Sequence, residues 1–219
     1  RQTNEGQAAM RSQLAIKLFT VRDFTKTAAD LAATHKRIGV IGYPAVQMSA
    51  VGAMNVDAPL VSAAEARRML DDNGLKCIAT HRAWENLADK TAFEIDFHQT
   101  LGCDFTAIGG LPGDYHSRGE AGYAAFLSDS APVIARLKAA GIRFGYHNHA
   151  HEFARVGRKA SGAPLTLFDA FVDNSGPDFL LELDVYWLTH AGLNPQRIVE
   201  RCAGRIPVIH VKDKEVSGH

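Results

Sequence analysis

A surplus of charge of either sign is absent from this chain. Lys plus Arg and Asp plus Glu number 24 each, so the formal net charge is zero. No block of like charges breaks the balance, which removes the electrostatic reason to expect nucleic acid or an anionic membrane as partner. Long hydrophobic runs are missing too: nothing approaches the ~18 consecutive apolar residues of a membrane helix. Cysteine is scarce. Cys77, Cys103 and Cys202 are odd in number and far apart, which excludes a disulfide framework and a Cys-type zinc site and suits buried thiols in a reducing compartment. The start, Arg1-Gln-Thr-Asn-Glu-Gly-Gln7, has no apolar core of a signal peptide. A cytoplasmic protein is expected. The missing initiator Met reads as trimming, so a removed export signal stays open.

What is there is an ordinary globular composition, 219 residues with 46% hydrophobic and 22% charged, enough for one large domain. We expect a single domain over 1–219, with 1–12 as a loose tail and no internal repeat or linker. Apolar runs predict strands over 13–21, within 40–48, and over 75–81, 104–108, 142–147, 179–184 and 206–211. Helical spacing predicts helices over 24–36, from Ser62 with Glu65 as a capping box to Gly74, over 83–101, 120–140 and 165–172, and from Asn194-Pro195 to about 202. Pro132 predicts a kink or break, and 150–163 a polar loop.

Seven strands alternating with helices, apolar on both faces, give an α/β fold with a parallel sheet. A doubly wound sheet would carry a glycine-rich turn after the first strand. Here that strand ends Thr20-Val-Arg-Asp23, without glycine. Ligand-type side chains instead sit at the C-terminal ends of several strands, the distribution of a (β/α)8 barrel. The count is one short, so the eighth βα unit is expected to be lacking from this chain.

The most informative stretch is Gly145-Tyr-His-Asn-His-Ala-His-Glu-Phe153, where an apolar strand runs out into His147, His149, His151 and Glu152. Two later strands end in Asp184 and His210, and the strand at 75–81 ends in His81. Carboxylates with an imidazole suit a hard or borderline divalent ion with open positions for substrate oxygens. Strand period two puts Glu182 with Asp184 on one face of their strand and His210 with Lys212 on one face of theirs, so that if Asp184 and His210 point inward, Lys212 does too. A lysine there would bind a substrate oxyanion or hydroxyl. Trp187, three residues after Asp184, offers a stacking face for a sugar ring or a core contact. His81, His147 and His149 are candidate substrate contacts. His151 is expected to be exposed, and His116 and Arg118 to lie in a loop that could cover the site.

Five segments resemble the sugar phosphate isomerase/epimerase family, the xylose isomerase-like TIM barrels: Phe19-Thr-Val-Arg-Asp23, Gly42-Tyr-Pro-Ala-Val46, Gly145 to Phe153, Glu182-Leu-Asp-Val-Tyr-Trp187 and His210-Val-Lys-Asp213. The resemblance covers about residues 13–214. It implies a divalent metal, commonly Mn2+, with Mg2+, Co2+ or Zn2+ as alternatives, held by Glu, Asp, His and a second Glu. The first three correspond to Glu152, Asp184 and His210. The fourth belongs to an eighth strand, which this chain ends before. Family members use metal-bound glutamates as acid/base groups, which makes Glu152 the candidate catalytic residue. Trp187 departs from the histidine that ketose 3-epimerases carry there.

The expected activity is isomerisation or epimerisation of a sugar or polyol, by proton abstraction next to a carbonyl through an enediolate. A lyase or dehydratase acting on inososes or 3-keto-glycosides is the first alternative. A sugar-binding barrel without turnover, or one dependent on a partner, is the second. The expected partner is a small sugar or polyol, unphosphorylated because no glycine-rich phosphate cradle is present. Neither nucleic acid nor a membrane is expected, and a homo-oligomer is compatible with the sequence.

Overall fold

The computed structural model describes residues 14–213. The expected tail at 1–12 lies outside them. The described residues form two compact units, 14–82 with 90–106, and 83–89 with 107–213. The sheet is seven-stranded, its strands lying side by side in chain order, with a separate two-stranded sheet formed between the fifth and sixth of them. It is the α/β barrel class expected from the alternation of strands and helices, with seven sheet strands among the described residues.

In the first unit, β1 (Ile16–Lys17), β2 (Ala45–Met48) and β3 (Lys76–His81) pair in parallel, with Ile16 opposite Val46 and Val46 opposite Cys77. Every residue of β2 is buried, as a strand covered on both faces requires. The first strand is shorter than predicted, because the chain turns into a 3-10 segment at Leu18–Phe24. Leu18 stays in the core, while Phe19 and Phe24 face outward. Helix α1 (Ala28–Ile41) begins later than predicted, because Thr27 is the residue that accepts a hydrogen bond from the Asp30 amide. Gly42 ends the helix at φ 98°, a conformation that glycine adopts without strain. Helix α2 (Ala63–Asp71) carries the predicted Ser62–Glu65 capping box.

The single helix predicted over 83–101 is two, α3 (Trp84–Asp89) and α4 (Thr91–Leu101), parted at Lys90. Each serves its own unit's core. Trp84 packs edge-on against Phe126 and Phe144 in the second unit, whereas Phe97 and Leu101 join Leu31, Val46 and Leu70 in the first.

Strand β4 (Phe105–Ile108) leads through α5 (Gly113–His116) to the long α6 (Gly119–Ala139), which runs unbroken through Pro132. Strands β5 (Arg143–His147), β8 (Phe179–Asp184) and β9 (Val208–His210) pair in parallel. Part of the predicted polar loop at 150–163 is structured. A 3-10 turn at His151–Phe153 is followed by β6 (Arg155–Arg158), which pairs antiparallel with β7 (Pro164–Thr166). All of β6 is exposed, so its sequence shows no alternation to read. Helix α7 (Leu167–Asn174) starts at a Thr166–Asp169 capping box. A short helix that the sequence did not suggest, α8 (Val185–His190), follows β8, and α9 (Pro195–Arg201) begins at Asn194 as predicted. Under these strands lies an aromatic core in which Phe171 meets Tyr123, Tyr146 and Phe179 at ring distances of 4.7–4.9 Å. No helix among the described residues is long and apolar enough to cross a membrane.

His35 on α1 is fully buried with no hydrogen-bond partner on either ring nitrogen among the described residues, and burial pushes it down from 6.5 to about 4. The neutral ring is therefore the folded form. Below pH 6.5 the unfolded chain takes up a proton that the folded chain refuses, so stability is lost as pH falls. We expect His35 to remove about 2 kcal/mol between pH 6.5 and 5. His35→Leu should flatten that part of the stability profile in chemical denaturation, and an unchanged slope would show that the loss comes from other groups.

Candidate metal centre

Parallel register brings the chemistry together. His147 at the end of β5 stands opposite Glu182, and Asp184 at the end of β8 stands opposite His210 on β9. Asp184 is fully buried and uses its two oxygens differently. Its Oδ1 accepts from the amides of Tyr186 (3.0 Å) and Trp187 (3.4 Å), starting α8. Its Oδ2 faces His147 Nε2 at 3.1 Å, His210 Nδ1 at 3.3 Å and Lys212 Nζ at 2.5 Å. Burial alone would push this carboxyl up. The contacts from His147, His210 and Lys212 outweigh it and hold Asp184 well below the usual carboxylate range. On the other side of the ring, His210 Nε2 lies 3.4 Å from Glu182 Oε2.

Asn148 fixes this strand end. Its Oδ1 accepts from the Asp184 amide at 2.8 Å, and its Nδ2 donates to the Asp184 carbonyl at 3.4 Å. The side chain thus ties the turn after β5 to the backbone of β8 at two points.

Glu152 is fully buried in the 3-10 turn after β5. Tyr146 donates its hydroxyl proton to Oε1 at 2.6 Å, and the His149 amide donates to Oε2 at 2.8 Å. His151 Nε2 lies 3.1 Å from Oε1. Burial opposes ionisation of Glu152, but His151 and Tyr146 together hold it below the ordinary range. The hydrogen bond to Glu152 in turn raises His151.

Among the described residues of this unit two sets of ligand-type atoms come together, His147–Asp184–His210 and His149–His151–Glu152, each with its atoms within 4.8 Å of one another. Imidazole rings link them: His147 is 4.9 Å from His210 and 4.7 Å from His149, and His149 stacks on His151 at 5.6 Å. A cleft of about 370 Å³ opens beside the second set, lined by His116, His149, His151, Trp187 and His190 among others. The Trp187 ring is 5.1 Å from that of His149.

The first set fits a divalent cation. Two ligand atoms about 2.1 Å from one small ion stand roughly 3.0–3.4 Å apart in octahedral or tetrahedral geometry. Asp184 Oδ2 already holds His147 Nε2 and His210 Nδ1 at 3.1 and 3.3 Å.

Of the three ligands implied by the family resemblance, Asp184 and His210 meet, with His147 as the third member of their set; Glu152 belongs with His149 and His151. Lys212 reaches Asp184, and Trp187 and His149 line the cleft. His151 is exposed, as expected, and His116 reaches it at a ring distance of 4.8 Å. His81 closes β3 in the first unit, half-buried. Sequence reasoning did not single out Glu182, Asn148, Tyr146 or His190. Period two had already placed Glu182 on the face of Asp184. Nothing in a lone Asn between two histidines signals a clamp.

Parallel strands ending in imidazole and carboxylate define a metal-type α/β barrel. The sequence profile of the family "xylose isomerase-like TIM barrel" matches residues 36–219, and the chain belongs to that family. Among solved structures it is similar to two sugar phosphate isomerase/epimerases of Parabacteroides distasonis. One has a TM-score of 0.75 at 24% identity, covering 91% of this chain and 74% of that one. The other has the same TM-score at 21% identity, covering 94% and 80%. A D-psicose 3-epimerase crystallised in the presence of D-fructose matches with TM-score 0.63 at 14% identity, covering 90% and 71%. No curated protein sequence matches the chain.

Removing the clamp tests the assembly of the site. Asn148→Ala leaves the buried Asp184 amide without its acceptor, which costs about 1–3 kcal/mol. Divalent-cation affinity is expected to fall with it, because Asp184 loses its fixed position. Thermal melts and metal titration check both, and unchanged values in both would remove Asn148 from the site's support.

Proposed function

We propose that this chain is a divalent-metal-dependent sugar or polyol isomerase or epimerase. The observation that carries the reading is the buried Asp184 carboxylate shared by His147 and His210 beside a second, separately ionised carboxylate, Glu152. His147, Asp184 and His210 would hold the cation, with Mn2+ our choice of ion. When bound, it would polarise a carbonyl and favour loss of a proton from the adjacent carbon.

The rest is work for the chain's own side chains. Glu152 is the proton acceptor. Tyr146 and His151 keep it charged and fix its direction, which suits a group that must take a proton from one carbon and return it. Lys212, beside Asp184 with its side chain 40% exposed, would donate to the oxygen on which charge develops. Trp187 presents a ring face, and His149, His116 and His190 offer hydrogen-bonding groups around it. None of the described residues lining the cleft is lysine or arginine. That lining supports an unphosphorylated substrate, because a phosphate needs fixed positive charge or a cradle of amides.

The test is Glu152→Gln on the full chain, assayed with Mn2+ against ketoses, aldoses and inososes with product analysis. We expect kcat to fall about 10²–10⁴-fold with bound metal retained. Loss of the metal itself would make Glu152 a ligand, as the family resemblance implies. Unchanged turnover would end its candidacy as the base. Products lacking the elements of water would move the reaction from isomerase to dehydratase.

A further inference from the structure

The His210 ring stands between two carboxylates on the same face of β8. Asp184 lies opposite it in register and faces Nδ1 at 3.3 Å; Glu182, two residues earlier, faces Nε2 at 3.4 Å. Both acids are fully buried, and His210 is nearly so. We infer that Glu182 is a positioning residue for His210: it accepts the Nε2 proton and so holds Nδ1, the nitrogen that faces Asp184, toward the cation site. This rests on the metal-centre reading above.

A neutral imidazole has one N–H and one lone pair, and the partner of the N–H decides which nitrogen is free to ligate. Nδ1 is the nitrogen that shares Asp184 Oδ2 with His147, so it is the one that would exchange its proton for a cation, and the proton that stays belongs on Nε2. Glu182 is the group the structure places there. A carboxylate holding the far nitrogen of a ligating histidine fixes ring direction and raises ligand basicity. A buried acid is itself costly unless a donor meets it, which gives Glu182 a reason to be at this position rather than an apolar residue. Strand geometry makes the arrangement specific. Side chains two apart on a strand share a face, and the ring of the neighbouring strand bridges them.

The experiment uses the full chain, labelled with 15N and stripped of metal by chelator, and reads the His210 imidazole in long-range proton–nitrogen spectra assigned with His210→Asn. The expected result is a proton on Nε2 in the parent chain. Mn2+ affinity is then measured by chelator competition. Glu182→Ala should lose the Nε2 signature and weaken Mn2+ by about 10–100-fold. Glu182→Gln keeps an acceptor and should restore both. A parent chain with no proton on Nε2 overturns the inference without any variant, and so does a folded Glu182→Ala that binds Mn2+ like the parent. A parent chain that shows the Nε2 proton but binds no Mn2+ sinks the metal centre while leaving the Glu182–His210 pairing standing.

Discussion

The rest of the site depends on keeping the Asp184 carboxylate charged without water. A buried carboxylate is sustained by donors on both oxygens, and Asp184 divides its supply. One oxygen takes two amides at the start of α8, and the other takes His147, His210 and Lys212. Capping a helix and gathering imidazoles are usually alternative readings of an aspartate at a strand end. Here they are one arrangement. The amides fix the carboxylate plane, and the fixed plane aims Oδ2 at the histidines.

That arrangement needs neighbouring strand ends in register, and the core beneath provides it. Glu182, Leu183 and Asp184 pair with Val208, Ile209 and His210, so a slip of one residue would turn Asp184 away from His210. The faces opposite are filled by Phe144, Tyr146, Phe171 and Phe179, all buried. Tyr146 belongs to both layers. Its ring packs on Phe171 at 4.7 Å, and its hydroxyl reaches Glu152. The packing that fixes the sheet thereby sets the direction of the second carboxylate.

Much of this was legible in the sequence, and the parts that were not have physical causes. β8 and the start of α9 fell where predicted, because an apolar run closed by Asp184 and an Asn194-Pro195 cap are local signals. The capping box at Ser62 was likewise read directly. The 83–101 stretch misled because its apolar spacing is continuous while its two halves pack into different cores. The β6–β7 hairpin was invisible because neither strand buries a face. At the site, strand ends identified Asp184, His210 and Lys212 through period two. The partition of His147 from His149 and Glu152 could not be read that way. It arises where the strand stops and the chain turns through Asn148, and periodicity carries no information about a turn.

The two buried carboxylates also differ in what they leave open. Asp184 is enclosed by the side chains that would share a cation with it, and its neighbours Asn148 and Glu182 are themselves buried. Glu152 is enclosed as well, but His151, which touches it, is 45% exposed along its side chain and lines the cleft together with His149. One acid is built to stay charged in a fixed place; the other has an imidazole between it and solvent. A proton leaving a substrate carbon needs an acceptor that is charged before the reaction and able to pass the proton on afterwards. The Asp184 surroundings satisfy only the first requirement. Those of Glu152 satisfy both, which is why we propose Glu152 for proton transfer and the Asp184 set for the cation.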